Sequence, residues 1–159
     1  MKVAIVGVGL IGGSIALDLR KAGLAKHITG VELNKKFCKK ALQLKLVDKI
    51  LPLKKAIENA DVVILAVPVS AMQTMLPLVL DAISEKTVVI DTGSTKSGLC
   101  KAVANHPKRK QFVAAHPIAG TENSGPEAAI EGLFKDKTNI ICEKEKSSAK
   151  ALAVSKKIF

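Results

Sequence analysis

The chain has 159 residues, of which 48% are hydrophobic, and a formal net charge of +11. This length suits one globular domain, and no apolar run approaches the roughly 20 residues of a membrane-spanning helix. The N-terminus lacks the pattern of a signal peptide, and the three cysteines show no C-x-x-C spacing. We therefore expect a cytoplasmic protein with no membrane partner, no disulfide framework and no metal site.

The positive charge is spread along the chain. Its densest group, the lysines between 35 and 40, is interrupted by apolar residues, as is typical of a solvated helix face. Trp and Tyr are absent and Phe occurs four times, so few rings are available to stack on nucleic-acid bases. We expect no nucleic-acid partner and interpret the charge as attraction for an anionic small molecule.

The first element is a β-branched run, residues 3–6, which reads as a strand buried on both faces. A G-x-G-x-x-G pattern follows at Gly7, Gly9 and Gly12, which would supply a tight turn, close approach to a pyrophosphate and close packing of the next helix. Leu10 and Ile11 belong to the same turn and are predicted to bind the cofactor with the glycines. A glycine-rich turn without a ligand is the alternative.

A second strand, residues 28–31, ends at Glu32, about twenty residues after the last glycine. A carboxylate there can accept hydrogen bonds from a ribose and repels a 2′-phosphate, which predicts NAD rather than NADP. Lys35 and Lys36 argue weakly for NADP. The strand, the turn, the helix and the acid occur in the order and at the spacing of a dinucleotide-binding unit. We therefore favour a dinucleotide site over a glycine-rich turn without a ligand.

Strands and helices continue to alternate, which predicts an α/β fold over residues 1–159: a doubly wound, mostly parallel Rossmann sheet with helices on both faces. A strand over 61–67 stops at Pro68. In such a sheet the strand order reverses between this strand and the first, so Val67 and Pro68 should border the cofactor cleft. The next helix, from Ser70, should kink or split at Pro77.

Two later strands end in polar residues. The strand over 87–91 leads into the turn from Thr92 to Ser97, and the strand over 111–115 leads to His116. Ligands of open α/β sheets bind at these carboxyl ends, so His116 is the candidate catalytic histidine, whereas His27 and His106 read as structural. A short helix over 126–132, a strand over 138–142 and a helix from Ser147 complete the predicted elements.

Four motifs in order resemble the prephenate/arogenate dehydrogenase family. They are Gly7–Ser14, Asp91–Lys96, His116–Gly120 with Ser124-Gly125, and Leu133–Lys137. The resemblance implies an NAD-dependent oxidoreductase of tyrosine biosynthesis, which oxidatively decarboxylates prephenate to 4-hydroxyphenylpyruvate or arogenate to tyrosine. It also implies that His116 accepts the substrate hydroxyl proton, as a neutral imidazole can, and that Ser94 sits between the nicotinamide and that hydroxyl.

Thr121 and Glu122 follow His116 closely enough to line the mouth of a substrate pocket, although a polar surface loop explains them equally well. The resemblance further implies a helical C-terminal domain that forms a homodimer and supplies cations for a small dianionic substrate. The present chain ends before such a domain. We therefore expect the chain to bind the cofactor without turning over the substrate.

Two other functions are compatible with the sequence. A 3-hydroxyacid dehydrogenase or an imine reductase shares the glycine pattern, but is not expected to combine the Gly-Ser-Thr-Lys turn with His-Pro-Ile-Ala-Gly. A nicotinamide-nucleotide-binding module without catalysis is compatible with a chain that lacks a second domain.

Overall fold

A computed structural model describes all residues from 1 to 159 and contains a single seven-stranded sheet. The strand order is β3-β2-β1-β4-β5-β6-β7, and every neighbouring pair is parallel except β6 and β7. The strands are β1 Lys2–Val6, β2 His27–Val31, β3 Lys49–Ile50, β4 Val62–Leu65, β5 Val88–Asp91, β6 Phe112–Pro117 and β7 Asn139–Cys142. The predicted doubly wound, mostly parallel sheet is confirmed.

Helices cover both faces of this sheet. They are α1 Leu10–Lys21, α2 Lys35–Gln43, α3 Leu53–Ile57, α4 Val69–Ala82, α5 Ser97–Ala102 and α6 Ala149–Ile158, with short 3-10 turns at Arg109–Gln111, Pro126–Ala128 and Lys144–Lys146. The longest, α4, has 14 residues, and no helix is long and apolar enough to cross a membrane. Alternate residues of the central strands enter two separate cores, as their continuous apolar sequences require.

The strand order reverses between β1 and β4. After β1 the chain builds β2 and β3 on one side, and after β4 it builds β5 and β6 on the other. The two loops that leave β1 and β4 therefore diverge, and they open a crevice at the carboxyl ends of these strands. This crevice positions the candidate site.

Local sequence explains how α1 ends and how α2 begins. Gly23, with φ +64°, follows the last turn of α1, because a left-handed residue after a helix is easiest for glycine. Asn34 caps α2: its Oδ1 accepts from the N–H groups of Lys36 at 2.9 Å and Phe37 at 3.4 Å.

Two predicted elements differ from the structure. A kink or a split was predicted at Pro77, and of these the split is wrong: α4 runs through this residue, because its apolar stripe stays buried on both sides and holds the two halves in one phase. The helix over 126–132 is also wrong beyond its first turn. The N–H of Ile130 donates to Ser14 Oγ at 2.9 Å and that of Gly132 to Asp18 Oδ1 at 2.6 Å, so this segment bonds to α1 rather than to itself.

Candidate functional site

A cavity of about 990 Å³ occupies the crevice between the ends of β1 and β4. Its walls are predominantly apolar, and no Lys or Arg lines it. Seven of the eight residues predicted to bind a cofactor lie in its wall: Gly7, Gly9, Leu10, Ile11, Glu32, Val67 and Pro68. The structure thus brings residues from three separate strand ends into one cavity.

The eighth residue, Gly12, lies behind the wall. A Cβ on Gly12 would stand 2.0 Å from the carbonyl oxygen of Gly7, so this glycine allows α1 to approach β1. Gly9 differs, because a Cβ there would meet no atom closer than the Gly125 nitrogen at 4.0 Å. Its missing side chain leaves room in the cavity itself, next to the first N–H groups of α1, which have no partner within the helix.

The Glu32 carboxylate is oriented by three backbone amides. Its Oε1 accepts from the N–H groups of Leu33 at 2.8 Å and Asn34 at 2.9 Å. Its Oε2 lies 3.4 Å from the N–H of Val8, in the glycine turn. The acid therefore links the end of β2 to the turn after β1, and its weakly engaged Oε2 retains capacity to accept from a ligand hydroxyl.

The sequence analysis missed two groups of wall residues. One group surrounds the far end of the cavity and consists of Leu33, Phe37 and the segment 50–53. The other is the segment Asn123–Gly125, which returns to the cavity from the loop after β6. The first group could have been predicted in part, because Leu33 and Phe37 closely follow the acid at the end of β2. The second group could not, because its position depends on the path of a loop.

The four residues predicted to act in catalysis or to bind the substrate lie outside this cavity wall. Ser94 is exposed in the turn after β5, and His116 is half-buried near the end of β6. Thr121 and Glu122 are exposed in the following loop, where Thr121 Oγ1 accepts from the N–H of Asn123 at 3.1 Å. Because β4, β5 and β6 are successive parallel strands of the sheet, Ser94 and His116 lie at the same edge on which the cavity opens.

A buried ion pair at this edge escaped the sequence analysis. The Asp91 carboxylate, at the end of β5, is inaccessible to solvent and pairs through Oδ2 with the ammonium of Lys96. Lys96 Nζ also donates to the carbonyl oxygen of Ala115 at 2.6 Å, and the N–H of Gly93 donates to Asp91 Oδ2 at 2.9 Å. Burial raises the pKa of Asp91, and the Lys96 ammonium opposes that rise.

The other two histidines have structural partners. His27 Nδ1 lies 3.2 Å from Asp48 Oδ2, and His106 Nε2 lies 3.2 Å from Asp81 Oδ1. His106 Nδ1 also accepts from the N–H of Lys108 at 3.0 Å. Neither residue lines the cavity, in agreement with their structural interpretation.

Residues 15–159 match the family model described as prephenate dehydrogenase, nucleotide-binding domain. The chain belongs to this family. The prephenate dehydrogenase of Bacillus subtilis is 34% identical over 99% of this chain and 43% of its own length. A crystal structure of prephenate dehydrogenase from A. aeolicus, in complex with hydroxyphenyl propionate and NAD+, superimposes with a TM-score of 0.88 and 35% identity, over 98% of this chain and 55% of that one.

The chain is also similar to a solved arogenate dehydrogenase. Arogenate dehydrogenase of Synechocystis superimposes with a TM-score of 0.88 and 29% identity, over all of this chain and 56% of that one. In each comparison the chain spans about half the length of its relative. The shared half is the nucleotide-binding domain of the family.

Proposed function

We propose that this chain is the NAD-binding domain of an enzyme that oxidatively decarboxylates prephenate or arogenate in tyrosine biosynthesis. The observation that carries the proposal is the crevice between β1 and β4, where a glycine turn and an oriented acid meet in a prephenate dehydrogenase family member. The chain would act in the cytoplasm, and each substrate would be a small dianion.

The residues of the cavity fit NAD. Gly9 leaves the space that a pyrophosphate needs beside the N-terminus of α1, where backbone N–H groups and the helix dipole attract anions. Glu32 would accept hydrogen bonds from the adenosine ribose, and the apolar walls, which include Leu33 and Phe37, suit flat heterocycles. Val67 and Pro68 would lie beside the cofactor on the opposite wall.

The proposed reaction breaks three bonds of the substrate. The ring carbon that bears the hydroxyl loses a hydride, and the hydroxyl proton passes to a base. The ring carboxylate leaves as carbon dioxide, its bonding electrons make the ring aromatic, and the phenolate oxygen then takes back a proton. Bound NAD supplies the hydride acceptor. His116 would accept the hydroxyl proton as a neutral imidazole, and Ser94 would hold that hydroxyl in position, since its own hydroxyl can donate and accept.

The carboxylates of the substrate require cations near the proposed reacting groups. Lys96, two residues after Ser94, is already paired with Asp91. We propose that a helical C-terminal domain supplies these cations and forms a homodimer, with Thr121 and Glu122 at the mouth of the shared pocket. The half-length match to the relatives leaves room for such a domain.

Turnover by the full-length protein tests the proposal. The protein is mixed with NAD and either prephenate or arogenate, and NADH and carbon dioxide are measured together. Equal amounts of both products are expected with at least one of the two substrates. NADH formation from a 3-hydroxyacid, or cofactor binding without turnover of any substrate, would contradict the proposal and favour a different dehydrogenase or a non-catalytic module.

A further inference from the structure

We propose that Lys96 is a positioning residue: through Asp91 and the carbonyl of Ala115 it fixes the Ser94 turn against the His116 end of β6. This inference rests on the proposed roles of Ser94 and His116. It assigns a task to a buried charge pair that the reaction itself does not use, and it concerns residues separated by up to 25 positions in the sequence.

The register of the sheet places the pair beside the histidine. Asp91 is the last residue of β5 and is paired with Ala114 of β6. Phe112 and Ala114 enter the core on the α4 side of the sheet, so the alternation of side chains puts His116 on that face too. Val89 enters the same core, which puts Asp91 there as well. The Cα atoms of Asp91 and His116 are therefore diagonal neighbours, roughly 8 Å apart.

The carbonyl that Lys96 binds lies just beyond the paired part of the two strands. Ala115 follows the last β5–β6 pair, and it immediately precedes His116. Because β5 has ended there, it offers no further N–H group to this carbonyl, and Lys96 Nζ donates to it instead. Lys96 thus extends the hydrogen bonding between β5 and β6 by one residue, immediately before His116.

The same contacts hold the Ser94 turn from both ends. Before Ser94, the N–H of Gly93 donates to Asp91 Oδ2, and Thr92 Oγ1 donates to the carbonyl oxygen of Leu65 at 3.2 Å. After Ser94, Lys96 returns to the same carboxylate. A five-residue turn that is closed on one buried carboxylate has little freedom, so Ser94 and His116 keep one mutual position.

Charge burial makes this connection sensitive to substitution. Only 9% of the Lys96 side chain and none of the Asp91 side chain is exposed. A buried carboxylate without its cation is costly, so loss of Lys96 leaves Asp91 to protonate or to draw water into the sheet edge. Either response changes the turn and the strand end together. A purely structural pair would affect stability without a specific effect on His116.

The three histidines of the chain provide the test, because imidazole NMR signals report on each one separately. We expect Lys96→Met to move the His116 imidazole signal of the 159-residue chain while the signals of His27 and His106 stay in place. Lys96→Arg should restore the His116 signal, since a guanidinium can also bridge a carboxylate and a carbonyl. Lys101→Met, which removes an exposed lysine of α5, is the matched control and should leave all three signals unchanged.

Turnover of the full-length protein gives a second readout. Lys96→Met should lower kcat by about 10- to 100-fold, as expected for misplaced reacting groups, while KM for NAD changes less than about twofold because Lys96 lies outside the cavity wall. Lys96→Arg should recover most of kcat. The NMR result does not depend on the substrate, so failure of this inference can be distinguished from failure of the proposed function.

If Lys96→Met does not fold, the double variant Asp91→Asn with Lys96→Met removes both buried charges and replaces it in both measurements. A folded variant with a lower Tm but an unchanged His116 signal would overturn the inference and leave the pair with a structural role alone. An unchanged kcat in the presence of normal prephenate turnover by the parent enzyme would overturn it as well.

Discussion

We propose His116 as the residue that accepts the hydroxyl proton of the substrate. Replacing it by Asn keeps the approximate size and the polarity of the side chain but removes the imidazole nitrogen that would accept the proton. We expect His116→Asn in the full-length protein to lower kcat by about 100-fold or more, with NAD affinity unchanged, because the residue lies outside the cavity wall. Steady-state kinetics and NAD titration measure the two effects. Ser94→Ala should cost less, and a near-normal kcat in the histidine variant would assign the proton to another acceptor.

We expect Glu32 to determine the choice between NAD and NADP. Backbone N–H groups hold its carboxylate at the end of β2, where it would meet a 2′-phosphate as a like charge. We expect NAD to bind at least about tenfold tighter than NADP, a difference that a close pair of like charges readily produces. Calorimetric titration of both cofactors measures it, and Glu32→Gln should narrow the gap.

The exposed lysines of α2 provide the control for this prediction. Lys35 and Lys36 are exposed, so their charges are screened by solvent and salt. Replacing both by Ala should change the ratio of the two affinities only slightly. Equal or tighter binding of NADP by the parent protein would show that these lysines outweigh the carboxylate.

Single residues also show what the sequence reveals and what it hides. Glu32 was predictable because its distance from the glycine turn reflects one strand–helix–strand unit, which is a local relation. The contact between Lys96 and the Ala115 carbonyl was not predictable, because 19 residues separate them and the contact exists only when β5 and β6 are neighbours. Contacts between strand ends require the strand order and the exact register.

In the connection from β1 to α1, one glycine is expected to affect folding stability and another to affect NAD binding. A Cβ on Gly12 would collide with the Gly7 carbonyl at 2.0 Å, so Gly12→Ala must push helix and strand apart and should cost about 3 kcal/mol of folding free energy. A Cβ on Gly9 meets nothing closer than 4.0 Å. Gly9→Ala should therefore fold normally but lose about tenfold or more in NAD affinity, because the methyl group occupies the space for the pyrophosphate.

Urea unfolding and NAD titration of both glycine variants measure this separation. Gly120 provides the control, because a Cβ there meets no atom within 4 Å, and Gly120→Ala should leave stability within about 0.5 kcal/mol of the parent. Normal NAD binding by Gly9→Ala would place the phosphates elsewhere.

The turn after β7 is fastened to the turn before β6 by one ion pair. Arg109, whose side chain is buried, donates to Glu143 Oε2 at 3.0 Å, and this contact holds the pKa of Glu143 below its ordinary value of 4.5. A lowered pKa in the folded state contributes stability above pH 4.5, and that contribution is lost as the pH falls through the folded-state pKa. Glu143→Gln should therefore destabilise the chain at pH 7 by about 1–3 kcal/mol.

The pH dependence distinguishes this pair from a general effect of the substitution. The difference in unfolding free energy between the parent and Glu143→Gln should shrink as the pH is lowered below 4.5, and denaturant unfolding at a series of pH values measures it. Glu145→Gln, in the exposed 3-10 turn that follows, should show no such difference. A constant gap at all pH values would mean that the carboxylate charge is not responsible.

Strands with a continuous apolar run were predicted to within a residue or two, as β1, β4 and β5 show. The errors fall where tertiary contacts override local rules. Pro77 removes one backbone donor, yet α4 continues because the buried stripe on either side of it stabilises the whole helix. The segment after Pro126 has a helical start, but its N–H groups find partners on α1.

In the whole molecule, the cofactor cavity lies beside the strand ends that carry the proposed catalytic residues Ser94 and His116. Both features lie at the carboxyl ends of the strands, which followed from the alternation of strands and helices in the sequence. The return of the segment Asn123–Gly125 to the cavity wall did not follow, because a loop without periodicity gives no signal for its path. The cavity therefore reaches from the β2 side of the sheet to the loop after β6.

This division predicts how the 159-residue chain behaves by itself. The glycine turn and Glu32 lie in one cavity wall, so the chain should bind NAD. Lys96, the lysine next to the Ser94 turn, is already paired with Asp91 and is not free to meet a substrate carboxylate. Without charge-assisted anchoring and exclusion of water, the turnover of prephenate should fall by several orders of magnitude relative to the full-length enzyme. Gel filtration first establishes that the chain is soluble and monomeric, NAD titration then shows that its cavity is intact, and NADH formation from prephenate is measured last. Turnover by a monomeric chain at a rate near that of the full-length enzyme would mean that its own lysines anchor the substrate, and the proposed role of a second domain would be wrong.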